Sequence, residues 1–203
     1  LRVQIFWLSG GVHKSIADYY LSDDRDDLNW IRQAARNTTA GSDFALDGKM
    51  TLWTRDAWLE SQINWFKKKV PENEGKIKFF DRLVAVIFTT ALLLTGCTLV
   101  MHLLSASDLI LNLLVLSSGI CFLGSGVIKT YATQMAYQEQ KDRYQMMVEI
   151  YQFALSKFDD YVFEKNIEQA RNILFLTGKE ALTENAGWLR LHRQREFKPN
   201  IGG

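Results

Sequence analysis

The stretch LVAVIFTTALLLTGCTLVMHLLSASDLILNLLVLSSGICFLGSGVI, residues 83–128, decides the fold. The chain carries 24 Lys and Arg and 23 Asp and Glu, yet only Asp108 lies inside this stretch. Leu83 to Leu104 is an apolar run of about 22 residues and Leu109 to Ile128 one of about 20. A helix needs about 17–25 residues to cross the hydrocarbon core of a bilayer. Neither run contains Pro, Asp, Glu, Lys or Arg. A helix facing water needs a polar stripe. The first run offers only Thr89, Thr90, Thr95 and Thr98 before His102, and threonine hydroxyls can bond back to their own helix. The rest of the chain is too short and too polar to enclose two such helices in a soluble core.

The expected fold class is therefore an all-α membrane protein, a two-span transmembrane helical hairpin with cytoplasmic helices on both sides. Ser105 to Asp108 reads as the tight turn between antiparallel spans. A charge at mid-bilayer would cost roughly 2.5–3.5 kcal/mol. Asp108 avoids that by sitting at a run's end, where it is placed to act as an N-cap. Lys67, Lys68, Lys69, Lys76, Lys78 and Arg82 precede the first run, and Lys129, Lys141 and Arg143 follow the second, while the turn has no Lys or Arg. The positive-inside tendency then places both flanks, and both termini, in the cytoplasm.

Outward from the spans, four segments are expected: 1–50, short helices and a loop; 51–82, an amphipathic pre-membrane helix; 83–128, the hairpin; and 129–203, a long amphipathic helix and a C-terminal helix. Leu1 to Leu8 reads as a helix end stopped by Ser-Gly-Gly, and its uncapped start suggests an element upstream. A short helix is expected over Ser15 to Leu21, a third capped by Ser22 with Asp23, Asp24, Asp26 and Asp27 at its positive end, and a loop over 37–48. Leu59, Ile63, Phe66 and Val70 share one helical face beside Trp58 and Trp65, which we assign to a core rather than an interfacial belt. Pro71 to Gly75 should break that helix. From Val127 to Thr177 there is neither Gly nor Pro, and Tyr137, Tyr144, Tyr151 and Phe158 recur every seven residues; Met147, Ala154 and Tyr161 follow members of that series by three, and Val148, Leu155 and Val162 broaden the face. This predicts one long helix continuous with the second span, its aromatics a packing surface. Gly178 marks a break, and Thr177 with Glu180 has capping-box spacing for a last helix carrying Leu182, Ala186 and Leu189 and a basic end.

Composition excludes several functions. A net charge of +1 argues against nucleic acid as a partner, which needs a concentrated positive field. Cys97 and Cys121 form neither a disulfide framework nor a zinc site. His13, His102 and His192 are scattered, and no nucleophile motif or phosphate loop accompanies them. We expect no enzyme, no metal and no cofactor. His102 is the one histidine placed at the turn, where with Asp108 it is a candidate for a pore mouth or pH sensor.

Within the second run Ser117, Cys121 and Ser125 recur every four residues, with Gly119, Gly124 and Gly126 reducing bulk nearby. Small residues let membrane helices approach closely. This face either packs on the first span of the same chain or joins several copies around a path, with Asn112 as its polar lining. The packing and pore-lining candidates are Asn112, Ser117, Cys121, Gly124 and Ser125.

LRVQIFW, ADYYL and LNWIRQAARN at the start, WLESQINWF before the first run, and TGKEALTENAGWLRLHRQRE at the end together resemble the bacterial SMODS-and-SLOG-associating two-transmembrane effector (SLATT) superfamily. Glu196-Phe197-Lys198-Pro199 departs slightly from its expected ending. The resemblance implies a cytoplasmic-facing two-span effector, homo-oligomeric in the lipid bilayer, attached to or encoded with a nucleotide-sensing domain of SLOG type in anti-phage conflict systems. It acts by forming pores or perturbing the membrane. The alternative is a passive membrane anchor or scaffold for an upstream sensor or transporter-like domain. The sensor's own phosphate-binding motifs do not occur in these residues.

Overall fold

A computed structural model of the chain describes residues 2–19, 33–34, 36–37, 52–105 and 107–194, the side chains of 188–194 excepted. Among the described residues the structure is almost wholly helical and contains no strand. Among these residues five α-helices can be followed from end to end: α1 (Arg2–Ser9), α2 (Ser61–Leu103), α3 (Asp108–Gln134), α4 (Tyr137–Phe163) and α5 (Ile167–Gln194). A π-helical turn, Arg55–Glu60, leads into α2. The chain divides into two compact units, Leu1–Lys67 with Met146–Gly203, and Lys68–Gln145. The helix expected from Ser22 and the loop expected over 37–48 lie outside the described residues, apart from 33–34 and 36–37, which are helical.

The first unit has a core of large rings. Trp7, Trp58, Leu59, Met147, Tyr151, Phe158 and Leu174 are all buried. Trp58 stacks on Phe6 with centroids 5.2 Å apart and meets Tyr151 edge-on at 6.4 Å. Burial pushes the Tyr151 phenol up to about 12. The heptad of aromatics on α4 is thus packing surface at Tyr151 and Phe158. Trp58 belongs to this core as expected, while Trp65, one heptad on, is exposed. The intervening π-helical turn closes wider rings than an α-helix does, so the two indoles lose their common face. Arg55, in that turn, donates from Nε and Nη2 to the two carboxylate oxygens of Asp159 at 2.8 and 3.0 Å. This fork-to-fork pair, joined by Asp56, holds the guanidinium charged well above the ordinary arginine range.

Gly178 does not break the last helix, which runs unbroken through it. A Cβ there would stand 2.0 Å from Trp7 Nε1. The glycine is instead a notch that admits the indole, whose N–H donates to the Leu174 carbonyl at 3.1 Å. Capping-box spacing at Thr177 and Glu180 is therefore incidental, and the Thr177 hydroxyl donates to the Ile173 carbonyl. Leu182 is buried and Ala186 half-buried, on the apolar side expected of them. After α1, Gln4 holds the following loop, its Nε2 donating to the Lys14 carbonyl at 3.0 Å and its Oε1 accepting from Ile16 N–H at 2.8 Å. The described part of the helix expected at Ser15 is one 3-10 turn, Ile16–Asp18, with Ser15 Oγ accepting from Ala17 N–H.

In the second unit Pro71 lies inside α2 without ending it. Proline removes one helical hydrogen bond and crowds the preceding turn. Here the flanking turns carry ion pairs at helical spacing: Lys69–Glu72, Glu72–Lys76 and Glu74–Lys78. These lysines hold both carboxyls below the usual carboxylate range. Such exposed pairs are screened by water and add little, and α2 continues through the proline for 43 residues in all.

The helix expected without interruption from the second run to Thr177 is broken twice. Ala136 and Lys165 adopt positive φ, 53° and 57°. At the second site Asn166 N–H donates to the Tyr161 carbonyl and Lys165 N–H to the Val162 carbonyl, the bonding of a Schellman ending. Asn166 then caps α5, its Oδ1 accepting from Gln169 N–H at 3.3 Å. A non-glycine residue takes the left-handed position in both places, so no Gly or Pro announces either turn.

Candidate functional site

Both apolar runs lie on helices long and apolar enough to cross a membrane, α2 and α3. The most apolar 18-residue windows of the two are only 6% and 11% buried. Leu93, Leu103 and Leu123 stand 66%, 76% and 74% exposed. Burying one such side chain stabilises a fold by about 1.5–3 kcal/mol, against a total stability of about 5–15 kcal/mol for an ordinary domain. Among the described residues these leucines gain little of that burial.

Asp81 pairs with Lys129 at 3.0 Å and Phe88 meets Phe122 at 5.5 Å, so contacts that climb α2 descend α3, the order of antiparallel helices. The better-covered side of α2 passes through Val84, Ile87, Ala91, Leu94, Thr98 and Met101. That of α3 passes through Leu111, Leu114, Ser118, Cys121, Ser125 and Ile128. Both sets alternate steps of three and four residues, the repeat of a coiled-coil seam. Small residues sit deepest: Ala91 is 0% exposed, Ser118 8% and Ser125 6%.

The predicted face of Ser117, Cys121 and Ser125 is thus divided. Steps of four residues drift about 40° each around a helix of 3.6 residues per turn, so the line winds from the outer surface to the seam. Ser125 lies buried at the seam, Cys121 and Gly124 are half-buried, and Ser117 and Asn112 are exposed on the outside. Ser118, which the sequence reading passed over, takes the inner place. A Cβ added at Gly96, Gly119, Gly124 or Gly126 would meet nothing within 4 Å. Among the described residues these glycines therefore answer no packing need.

Six hydroxyls along the two runs bond to their own helix. Ser117, Ser118 and Ser125 donate to the carbonyls of Leu113, Val115 and Phe122 at 2.7–2.9 Å. Thr90, Thr95 and Thr98 donate to the carbonyls four residues back. This back-bonding is what an apolar solvent demands of a hydroxyl.

At the turn Ser105 takes a φ of 54°. Ser107, not Asp108, occupies the N-cap position of α3, with extended backbone and no side-chain capping bond. Asp108 is the first helical residue, where the positive helix end favours its charge. His102 and Asp108 are both exposed at this end. At the opposite end Phe80 stacks on Tyr137 at 5.9 Å and tilts against Tyr131 at 5.8 Å, beside Asp81 and Lys129. That ion pair was missed in the sequence, although its two charges stand just outside the two runs.

No group of three or more His, Cys, Asp or Glu able to hold a metal occurs among the described residues, and Cys97 and Cys121 are free thiols. Comparisons with protein-family models, with curated proteins and with solved structures return no match.

Proposed function

We propose that the chain is a membrane-embedded effector module, α2 and α3 forming a transmembrane hairpin in a bacterial inner membrane with both flanks cytoplasmic. The observation that carries this reading is the bareness of the two apolar windows, 6% and 11% buried. The charge asymmetry adds to it: basic residues gather at the ends of the runs away from the turn, while 104–107 holds none. So does the cluster of Phe80, Tyr131 and Tyr137 at the basic end, where aromatic side chains favour the membrane–water interface.

In this reading several copies associate through the outer face of α3, with Asn112, Ser117 and the glycines at the contact or lining a path. They permeabilise the bilayer when a cytoplasmic nucleotide-type sensor domain signals, as the resemblance to the SLATT superfamily implies for anti-phage systems. Reconstituted vesicles test it. The activated protein, with its sensor, is expected to release a trapped ion indicator, and Asn112→Leu is expected to alter that flux. Activated protein that leaves vesicles tight overturns the pore. A hairpin replaced by an unrelated two-span anchor with full activity retained assigns a passive anchor instead.

A further inference from the structure

We propose that the first compact unit binds a small phosphate-bearing anion between the loop after α1 and the first turns of α5. A cavity of about 620 Å³ opens there, lined among others by His13, Lys14, Glu168, Arg171, Asn172 and Phe175. That volume suits a small ligand.

Arg171 points to the chemistry. Its Nε is buried and has no hydrogen-bond partner among the described residues. A buried guanidinium N–H without an acceptor is costly, and the planar fork of arginine matches a phosphate or carboxylate better than any other side chain does. Lys14 and His13 line the same cavity and are exposed, and no ion pair engages either of them among the described residues. Among the described residues Glu168 is the one acid on the wall, so Arg171 and Lys14 leave it net positive even with His13 neutral. Asn172 adds an uncharged amide.

The wall is also held in place before any ligand arrives. Gln4 grips the Lys14 carbonyl and the Ile16 amide. Gly11 supplies the turn with a φ of 71°. Phe175 rests on Trp7 and Tyr19 with centroids 5.4 and 5.1 Å away. Such preorganisation lowers the ordering cost of binding. Arg171 is the anchoring residue and Lys14 the second cation.

The full chain, purified in a non-ionic detergent, is titrated calorimetrically with inorganic pyrophosphate, then with phosphatidylcholine vesicles with and without phosphatidylglycerol. Saturable pyrophosphate binding is expected, weakened about tenfold or more in Arg171→Ala and partly restored in Arg171→Lys. Lys14→Glu is expected to weaken it too; that side chain is exposed, so the fold stays intact. Circular dichroism and the melting transition check each variant, and if Arg171→Ala does not fold, Lys14→Glu decides alone. Pyrophosphate binding that phosphatidylglycerol vesicles do not displace identifies a soluble phosphate compound as the ligand class. Displacement by those vesicles identifies a lipid headgroup. The absence of saturable binding by either probe, or wild-type affinity in Lys14→Glu, overturns the site.

Discussion

Gly178 shows how one residue can carry two opposite meanings. In sequence, a glycine between a long apolar-patterned segment and a capping-box spacing reads as a stop. In the fold a methyl group there would enter the Trp7 indole, 2.0 Å from Nε1. Gly178→Ala is accordingly expected to destabilise the first unit by about 1–3 kcal/mol, the cost of overpacking a filled core. Gly75→Ala is the matched control, because it meets open space within α2. It should stabilise by up to about 1 kcal/mol by restricting the unfolded chain. Denaturant unfolding of both variants measures the contrast; equal effects would mean that Trp7 does not seat against α5. Trp58 and Trp65 make the same point more gently. Their spacing is identical to a heptad, yet across the π-helical turn before α2 one lies in the core and the other at the surface.

At the scale of elements, a helix survives or ends according to the turns around it. Pro71 is tolerated in α2 because it removes a single hydrogen bond from a long helix, and its neighbours pair Lys69, Glu72, Glu74, Lys76 and Lys78 across helical steps. If α2 is continuous there, Pro71→Ala should raise stability, by at most the roughly 3 kcal/mol that separates the two residues in a helix interior. Chemical denaturation followed by circular dichroism reads this. A destabilised variant would mean that the proline holds a bend. The two interruptions after α3 behave in reverse. Ala136 and Lys165 stop helices that composition would continue, and at Lys165 a readable signal exists in Asn166, a good N-cap residue for α5. The seam between α2 and α3 was likewise half legible. Small residues on α3 were visible as a set, but counting by fours selects Ser117 where the packed line selects Ser118. Two helices in contact repeat every 3.5 residues, and that number belongs to the pair rather than to either strip of sequence.

For the whole molecule, the distribution of charge makes the sharpest claim. With Cys97 and Cys121 replaced by alanine, Ser107→Cys in intact bacterial cells is expected to react with a membrane-impermeant maleimide added outside. Lys69→Cys is expected to react only after the cells are opened. Labelling of both from outside, or of neither, would overturn the proposed topology. The sequence by itself determined that the described residues are helical and that two helices are long and apolar enough to cross a membrane, because periodicity and the absence of charge are local properties. It also determined the aromatic ladder of α4, since a heptad of rings has few uses other than burial. Which residues meet was decided only in three dimensions. The Trp7–Gly178 notch and the Arg55–Asp159 fork join positions more than a hundred residues apart, and the cavity beside Arg171 is walled by the loop after α1 and by α5. Such contacts depend on the direction in which each side chain leaves a folded backbone, and neighbouring residues in a chain do not encode that direction.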